Sequence, residues 1–257
     1  MNSIKKLGIR VKRHKNYCEV FGNGINGFKY KKKLIINAKN SGTLGRLILG
    51  LLIKSPQKIK LIGDNSLSKR DFSRVTVPLE KFGAKFYYKK KNKLPISILG
   101  SKFAKGIKYL ENKGSAQCKS SIMLAALNAT GTTFIKAKKS RNHSELLFKY
   151  LKIPTKIKKT KRYDFIRIKK PKKIRAFNYQ IPGDISSSAF FIVLTTLSNN
   201  SKLLIKNVNI NPSRIGVIKI LKKMGAKISL NNQKNYRGEK ISDILIKSSK
   251  KLKGINC

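Results

Sequence analysis

Apolar residues recur with helical spacing in a segment that starts at Arg70 and ends at Gly83. The recurring residues are three or four positions apart, as on one face of an amphipathic helix: Phe72, Val75, Leu79 and Phe82. Glycine commonly follows the last turn of a helix because it adopts the left-handed conformation. The pattern predicts a helix with one buried face, with Pro78 either kinking it or marking its true start.

The same pattern returns elsewhere in the chain. At 214–230 the helix again ends at a glycine. Its predicted buried face comprises Val217, Ile220, Leu221 and Met224. A weaker copy at 141–159 places Leu147 and Leu151 on the buried side, and a remnant lies at 5–11. The corresponding turns are about 72 residues apart, which is too long for a solenoid repeat.

Each of the three full copies also contains an earlier helix that opens with small polar residues, at 40–52, 114–129 and 184–197. A β-branched strand follows each of these helices, and two more strands follow the second helix. The unit therefore reads β-α-β-α-β-β. We predict a mixed α/β (α+β) fold built from repeats of this unit.

The openings of these earlier helices are candidate anion sites. Ser115, Ala116 and Gln117 begin one helix, and Asn40 and Gly42 lie at the start of another. Unpaired backbone N–H groups and the helix dipole attract phosphate or carboxylate at such ends. Ser and Asn are also ordinary N-caps, so a purely structural role stays open.

Arg70 and Arg141 stand at the entrances of the second helices, where a guanidinium can bind phosphate or carboxylate oxygens or simply be a solvated charge. Cys118 is interpreted as a small buried residue because no histidine is near it in sequence. His143 is interpreted as a helix-entry cap or a solvated side chain, without a catalytic role.

The charge balance is extreme, with 60 Lys+Arg against 10 Asp+Glu and a net charge of +50. Such a charge attracts polyanions and phosphorylated molecules, but the codon bias of a genome rich in A and T gives the same mixture of Lys, Ile and Asn. No nucleic-acid-binding motif is present and there is no Trp, so only non-specific binding to nucleic acid is expected.

The rest of the composition excludes several classes. Cys18, Cys118 and Cys257 are an odd number of cysteines at wide spacing, which suggests neither a disulfide framework nor a metal cluster. With only His14 and His143 besides, a zinc site is not expected. No apolar run reaches the roughly 18 residues of a membrane span, and no signal peptide is recognised. We predict a cytoplasmic protein that does not associate with membranes.

Six short motifs follow one another along the chain. They are N-S-G-T-L-G-R at 40–46, G-D-N-S-L-S-K-R at 63–70, G-S-A-Q-C-K-S at 114–120, S-R-N-H-S-E at 140–145, I-P-G-D-I-S-S-S-A-F-F at 181–191 and N-V-N-I-N-P-S-R-I-G at 207–216. Together they resemble the motifs of the 5-enolpyruvylshikimate-3-phosphate synthase family. The resemblance covers roughly residues 5–255.

The resemblance implies two domains, each of three β-α-β-α-β-β units around a pseudo-threefold axis. Here it places most of the first domain at 1–181 and one unit of the second at 182–257. It also implies transfer of the enolpyruvyl group of phosphoenolpyruvate to the 5-hydroxyl of shikimate 3-phosphate, with release of phosphate. The family needs no metal or organic cofactor, and the complete enzyme is expected to be a monomer.

Carried over residue by residue, the resemblance assigns two sets of contacts. Shikimate 3-phosphate would contact Ser115, Ala116, Gln117, Ser140 and Arg141. Phosphoenolpyruvate would contact Asn40, Gly42, Arg70 and Gln117. Asp71, Asn142 and Ser144 depart from the family's usual proline, aspartate and threonine.

Other family motifs are not found in this sequence. The family's P-G-D-K-S-x-S-x-R loop would precede Lys5, and its proton-transfer aspartate, glutamate and lysine would follow residue 257. We therefore expect an internal part of the enzyme, with no catalytic proton-transfer residue and little activity by itself, because acid–base help is worth about 10² to 10⁴ in rate.

Three alternatives remain. The sister enzyme that transfers enolpyruvyl to UDP-N-acetylglucosamine has a cysteine in the loop before the equivalent of Arg70, whereas the loop at 63–70 has none. A basic nucleic-acid-binding protein would show steeply salt-dependent binding. A decayed gene remnant would lack a cooperative unfolding transition.

Overall fold

A computed structural model describes residues 1–25, 27–249 and 251–256 of the chain. The chain divides into two compact units. The first contains Met1–Ser140 and Leu151–Ala176, and the second contains Arg141–Tyr150 and the chain from Phe177 onward. The family-like domains predicted at 1–181 and 182–257 remain a prediction.

The first unit begins with a short helix and a two-stranded antiparallel sheet: α1 (Asn2–Lys6), β1 (Arg10–Arg13) and β2 (Cys18–Phe21). Gly8 separates the helix from the first strand with a φ of +80°. A Cβ at this position would lie only 2.1 Å from the carbonyl oxygen of Lys29, so glycine is required.

The first complete repeat follows. It comprises β3 (Ile35–Asn37), α2 (Gly42–Leu51), β4 (Ile59–Ile62), α3 (Asn65–Lys69), α4 (Ser73–Lys81), β5 (Lys85–Tyr88) and β6 (Ile96–Leu99). Its sheet has the order β3-β4-β6-β5, with β3 parallel to β4 and the other pairs antiparallel.

The helix predicted from Arg70 in fact begins at Ser73, and Arg70 instead ends the separate helix α3. Pro78 lies inside α4 and marks no start. The predicted apolar face is correct, since Phe72, Val75, Leu79 and Phe82 are each at most 1% exposed.

The second repeat has the same plan. It comprises β7 (Lys108–Glu111), α5 (Ala116–Ala126), β8 (Thr132–Lys138), α6 (His143–Tyr150), β9 (Thr155–Lys159) and β10 (Tyr163–Lys169). The sheet order is β7-β8-β10-β9, again with a parallel first pair. The strands and α5 belong to the first unit, and α6 belongs to the second.

The third repeat forms most of the second unit. It comprises α7 (Ile185–Leu197), β11 (Lys202–Asn209), α8 (Gly216–Lys223), β12 (Lys227–Tyr236) and β13 (Glu239–Lys247). The sheet is antiparallel in the order β11-β13-β12, and a parallel bridge from Gly183 to Val208 stands where the first strand would be. The predicted α/β fold of repeated β-α-β-α-β-β units is confirmed.

The predicted burial is correct only in part on two helices. In α8 the core residues are Ile218 and Leu221, which pack in a cluster with Ile192 and Ile244, and Ile220 is 43% exposed. In α6 the buried residues are Glu145 and Phe148, whereas Leu147 is only partly buried. Helical spacing alone permits neighbouring faces about 100° apart, and tertiary packing selects one of them.

Helices α2 and α5 pack closely in the first unit. A Cβ at Gly50 would lie 2.1 Å from the carbonyl oxygen of Ser121, and Ser121 Oγ donates a 2.8 Å hydrogen bond to the carbonyl oxygen of Arg46. The small residues on this face allow the two backbones to approach and fix how the helix starts are aligned. Among the described residues, no helix is both long and apolar enough to cross a membrane.

Candidate functional site

The start of α2 is held by the hydroxyl of Ser41 and, through Asn40, by the carboxylate of Asp64. Ser41 Oγ accepts a 3.1 Å hydrogen bond from the amide of Leu44 and so caps α2. Asn40 donates from Nδ2 to Asp64 Oδ2 at 2.6 Å, and the other oxygen of Asp64 caps α3 through the amide of Leu67. These hydrogen bonds, with that from Leu67 the strongest influence, hold the pKa of Asp64 below its usual range.

The start of α5 lies directly beside the start of α2. Ser115 caps α5 by accepting from the amide of Cys118 at 3.3 Å. Two residues on, Gln117 donates from Nε2 to Thr43 Oγ1 at 2.8 Å, and its Oε1 accepts from Arg46 Nη1 at 2.9 Å. The positive ends of two helix dipoles therefore point to neighbouring positions.

Two guanidinium groups converge on Gly42, the first residue of α2. A Cβ on Gly42 would lie 2.7 Å from Arg46 Nη1 and 3.2 Å from Arg70 Nη1. Arg46 also lies over the ring of Phe72, 5.2 Å from its centroid. Neither arginine forms an ion pair with a carboxylate within the part of the chain that the structure describes.

The electrostatics of this cluster favour an anion. Burial is the main reason that the pKa of Arg46 is lowered, and repulsion from Arg70 and Arg74 adds to the effect. The neighbouring Arg74 is neutralised by Glu111, whose carboxylate is 3.1 Å away and buried. The excess positive charge therefore lies at Arg46 and Arg70.

Ser140 lies just beyond β8, and the chain there runs beside the start of α5. A Cβ on Gly114 would be 3.4 Å from the carbonyl oxygen of Lys139. The hydroxyl of Ser140 is buried and has no hydrogen-bond partner among the described residues. A buried hydroxyl without a partner is costly, and a bound oxyanion would supply one.

The predicted site residues thus fall into two groups. The first unit brings together Asn40, Gly42, Arg70, Ser115, Ala116 and Gln117, with Ser140 near the start of α5. Arg141 is exposed and belongs to the second unit, where it precedes α6.

The sequence analysis assigned no site role to Arg46 or Thr43. Both belong to the N-S-G-T-L-G-R motif, and Arg46 follows Gly42 by four residues, so a helix places the two residues on the same face at the start of α2. This four-residue spacing could have indicated Arg46 as a site residue. The partner that gives Arg46 its role, Gln117, is 71 residues away in sequence.

The comparison with protein families shows the family of the chain. Residues 1–256 match the family model described as EPSP synthase (3-phosphoshikimate 1-carboxyvinyltransferase). The chain belongs to the EPSP synthase family. It is 40% identical over 256 residues to the 3-phosphoshikimate 1-carboxyvinyltransferase of Thermoanaerobacter pseudethanolicus and 39% identical over 258 residues to that of Petrotoga mobilis.

Each of these alignments covers 99% of this chain but 59% of the relative, so the chain spans about three fifths of the curated EPSP synthases that it matches. The solved EPSP synthase from Acinetobacter baumannii superposes with a TM-score of 0.86 at 35% identity. That match covers 99% of this chain and 57% of the Acinetobacter chain. The enolpyruvyl transferase fold expected from the resemblance is therefore confirmed.

A second polar cluster lies in the second unit and contains residues of the second and third repeats. Asp184 caps α7 and is paired with Arg214 at 3.1 Å. His143 Nδ1 lies 2.6 Å from Glu239 Oε1, so His143 is neither a simple cap nor only a solvated side chain. These four residues line one cleft of about 460 Å³ within the second unit.

The two described cysteines differ in exposure. Cys118 is 1% exposed, which confirms its interpretation as a buried residue, and Cys18 is exposed. Cys257 lies outside the described residues. Within the described ranges, no group of three or more His, Cys, Asp or Glu side chains could hold a metal ion.

Proposed function

We propose that this chain takes part in the EPSP synthase reaction by binding both of its anionic substrates. In that reaction the enolpyruvyl group of phosphoenolpyruvate is transferred to the 5-hydroxyl of shikimate 3-phosphate and phosphate is released. The observation that carries the proposal is the convergence of Arg46 and Arg70 on Gly42, beside the paired starts of α2 and α5.

Phosphoenolpyruvate fits the chemistry of this opening. Its carboxylate and phosphate need cationic and N–H donors, which Arg70, Arg46 and the start of α2 provide. Because Gly42 has no side chain, the tips of Arg46 and Arg70 can lie against the helix start, and Asn40 is the second residue before Gly42. Because Arg46 and Thr43 fix the side-chain amide of Gln117, this amide is held in one orientation at the opening.

Shikimate 3-phosphate is proposed to bind at the start of α5. The backbone at Ser115, Ala116 and Gln117 offers the N–H groups of a helix start, and the buried hydroxyl of Ser140 lacks a partner. A phosphate group would satisfy both. Arg141 is proposed as a further contact from the resemblance alone.

This arrangement can assist the reaction by charge stabilisation. Fixed N–H and guanidinium donors stabilise negative charge on the carboxylate and phosphate oxygens as it redistributes in the transition state. The chain's own residues bind and orient the two substrates so that the enol carbon and the 5-hydroxyl are close together. No step requires a metal or an organic cofactor.

Calorimetric titration tests the proposal. At about 0.15 M salt, where non-specific phosphate contacts are weakened, the chain should bind shikimate 3-phosphate saturably with one site, and then phosphoenolpyruvate. Inorganic phosphate should bind much more weakly. The proposal fails if neither substrate binds more tightly than inorganic phosphate.

The same titration separates the alternatives. Saturable binding of UDP-N-acetylglucosamine would instead indicate the sister reaction, which the family match does not favour. Binding to DNA alone, with a steep salt dependence, would indicate only the effect of the +50 charge. A cytoplasmic location and a monomeric complete enzyme remain our predictions from the sequence.

A further inference from the structure

Glu239 carries a buried carboxylate that accepts three side-chain hydrogen bonds. Glu239 is 6% exposed and is the first residue of β13. Oε1 lies 2.6 Å from His143 Nδ1. Oε2 accepts from Asn209 Nδ2 and from Asn211 Nδ2, each at 3.1 Å.

The network continues from Glu239 to the residue before His143. Asn211 Nδ2 also donates to Asn142 Oδ1 at 2.9 Å. Asn211 is itself fixed, because its Oδ1 accepts from the amide and hydroxyl of Ser213 at 2.9 and 2.7 Å. Residues 142 and 143 are therefore both attached to one carboxylate, His143 directly and Asn142 through a single amide.

This carboxylate is held in its charged form. Burial is the largest influence and would raise the pKa of Glu239, but the hydrogen bonds from His143, Asn209 and Asn211 together lower it below the usual range. Burying a charge is unfavourable unless donors surround it, and an apolar side chain would fill the same space without that cost. The three donors offset the cost of burying this charge.

The donors that Glu239 holds follow directly after Arg141. Arg141 is exposed and precedes the first turn of α6, where Asn142 is bonded to Asn211 and His143 to Glu239. We propose that Glu239 is a positioning residue that fixes the segment Arg141–His143 so that Arg141 is oriented toward the phosphate of shikimate 3-phosphate. This inference rests on the proposed function, which makes Arg141 a ligand contact.

A double-mutant cycle on the full chain tests the inference. Glu239→Ala, Arg141→Ala and the double variant are titrated with shikimate 3-phosphate, and Glu239→Gln serves as the conservative variant. Glu80→Gln is the matched control, because it removes the same negative charge from an exposed position on α4. Hydrogen exchange of the peptide 141–150 is measured on each variant without ligand, and thermal unfolding verifies that each is folded.

The positioning role predicts coupling. Arg141→Ala and Glu239→Ala should each weaken shikimate 3-phosphate binding about tenfold, and the double variant should be no weaker than Arg141→Ala. Glu239→Gln should restore part of the affinity because it retains a carbonyl acceptor. Exchange at 141–150 should increase in Glu239→Ala and not in Glu80→Gln.

Two results would overturn the inference. If the losses of Glu239→Ala and Arg141→Ala add in the double variant, Glu239 acts independently of Arg141. If exchange at 141–150 is unchanged in both Glu239 variants, the carboxylate does not fix this segment. A third result, faster exchange together with no binding of shikimate 3-phosphate by the wild-type chain, would refute the proposed function and leave Glu239 as a structural anchor only.

Discussion

Arg46 Nη1 donates a 2.9 Å hydrogen bond to Oε1 of Gln117, which joins the starts of two equivalent helices from successive repeats. Gln117 completes the connection by donating to Thr43. The side-chain amide is thus fixed from both ends, and the guanidinium remains at the opening. In this family member, residues of two repeats therefore meet at one pair of helix starts, where we propose that an anion binds.

Removing Arg46 should weaken phosphoenolpyruvate binding. Arg46→Ala removes a charged donor and releases the amide of Gln117, and a hydrogen bond to a charged group contributes about 1.5–3 kcal/mol. We expect the affinity for phosphoenolpyruvate, measured by calorimetry, to fall at least tenfold. Arg13→Ala removes the same charge from an exposed strand and is the control. Equal losses in both variants would mean that only net charge matters.

Adding a methyl group at Gly42 should affect binding more than folding. The new Cβ would lie 2.7 Å from the tip of Arg46 and 3.2 Å from that of Arg70, and both tips belong to flexible side chains that can move. We expect Gly42→Ala to weaken phosphoenolpyruvate binding severalfold with less than about 1 kcal/mol change in unfolding free energy. Gly22→Ala, where no atom lies within 4 Å, is the control. Unchanged binding in Gly42→Ala would contradict the proposed placement.

The two glycines that end α4 and α8 differ in one testable respect. Both have left-handed φ values, +99° at Gly83 and +96° at Gly225. A Cβ at Gly83 would also lie 2.9 Å from Ser101 Oγ, whereas nothing lies within 4 Å of one at Gly225. Gly225→Ala should cost about 1 kcal/mol of backbone strain, and Gly83→Ala should cost more. Urea unfolding of the two variants measures the difference, and equal costs would show that Ser101 moves freely.

The stability of α7 should decrease in acid. Burial would raise the pKa of Asp184, but hydrogen bonds from the amide of Ser186 and the charge of Arg214 lower it overall. Because the folded-state pKa is depressed, this stabilisation is complete above the usual aspartate pKa of about 3.9 and is lost as the pH falls through the folded-state value. Hydrogen exchange of α7 amides at about pH 7 and pH 3, corrected for intrinsic rates, measures how much stability the helix loses in acid. Asp184→Asn should reduce this acid-induced loss of stability. If the loss is the same in Asp184→Asn as in the wild-type chain, Asp184 is not its source.

Local patterns were sufficient to predict the repeat. Gly83 and Gly225 mark equivalent helix ends because both adopt the left-handed conformation that only glycine tolerates easily. The buried face of α4 could also be predicted locally, because the spacing of its apolar residues allows only one apolar stripe. On α8 the apolar residues cover a wider arc, so packing against Ile192 and Ile244 decided the face.

The site could be predicted only in part, because its decisive contacts are distant in sequence. The helix openings at Ser115 and Gly42 were visible as small polar residues before apolar runs. The pairing of Gln117 with Arg46 and that of His143 with Glu239 span 71 and 96 residues. No local periodicity encodes such pairs, and they emerge only when the repeats fold.

The most direct test of the substrate-binding claim compares Arg70→Ala with Lys69→Ala. The two residues are adjacent and exposed, so each variant removes one positive charge from nearly the same place, but only Arg70 reaches Gly42. Phosphoenolpyruvate is titrated into each variant in the presence of shikimate 3-phosphate. We predict that Arg70→Ala weakens binding at least tenfold and that Lys69→Ala changes it less than twofold, by the energies of charged hydrogen bonds and of exposed charges. Equal weakening in both variants, or no saturable binding by the wild-type chain, would contradict the account.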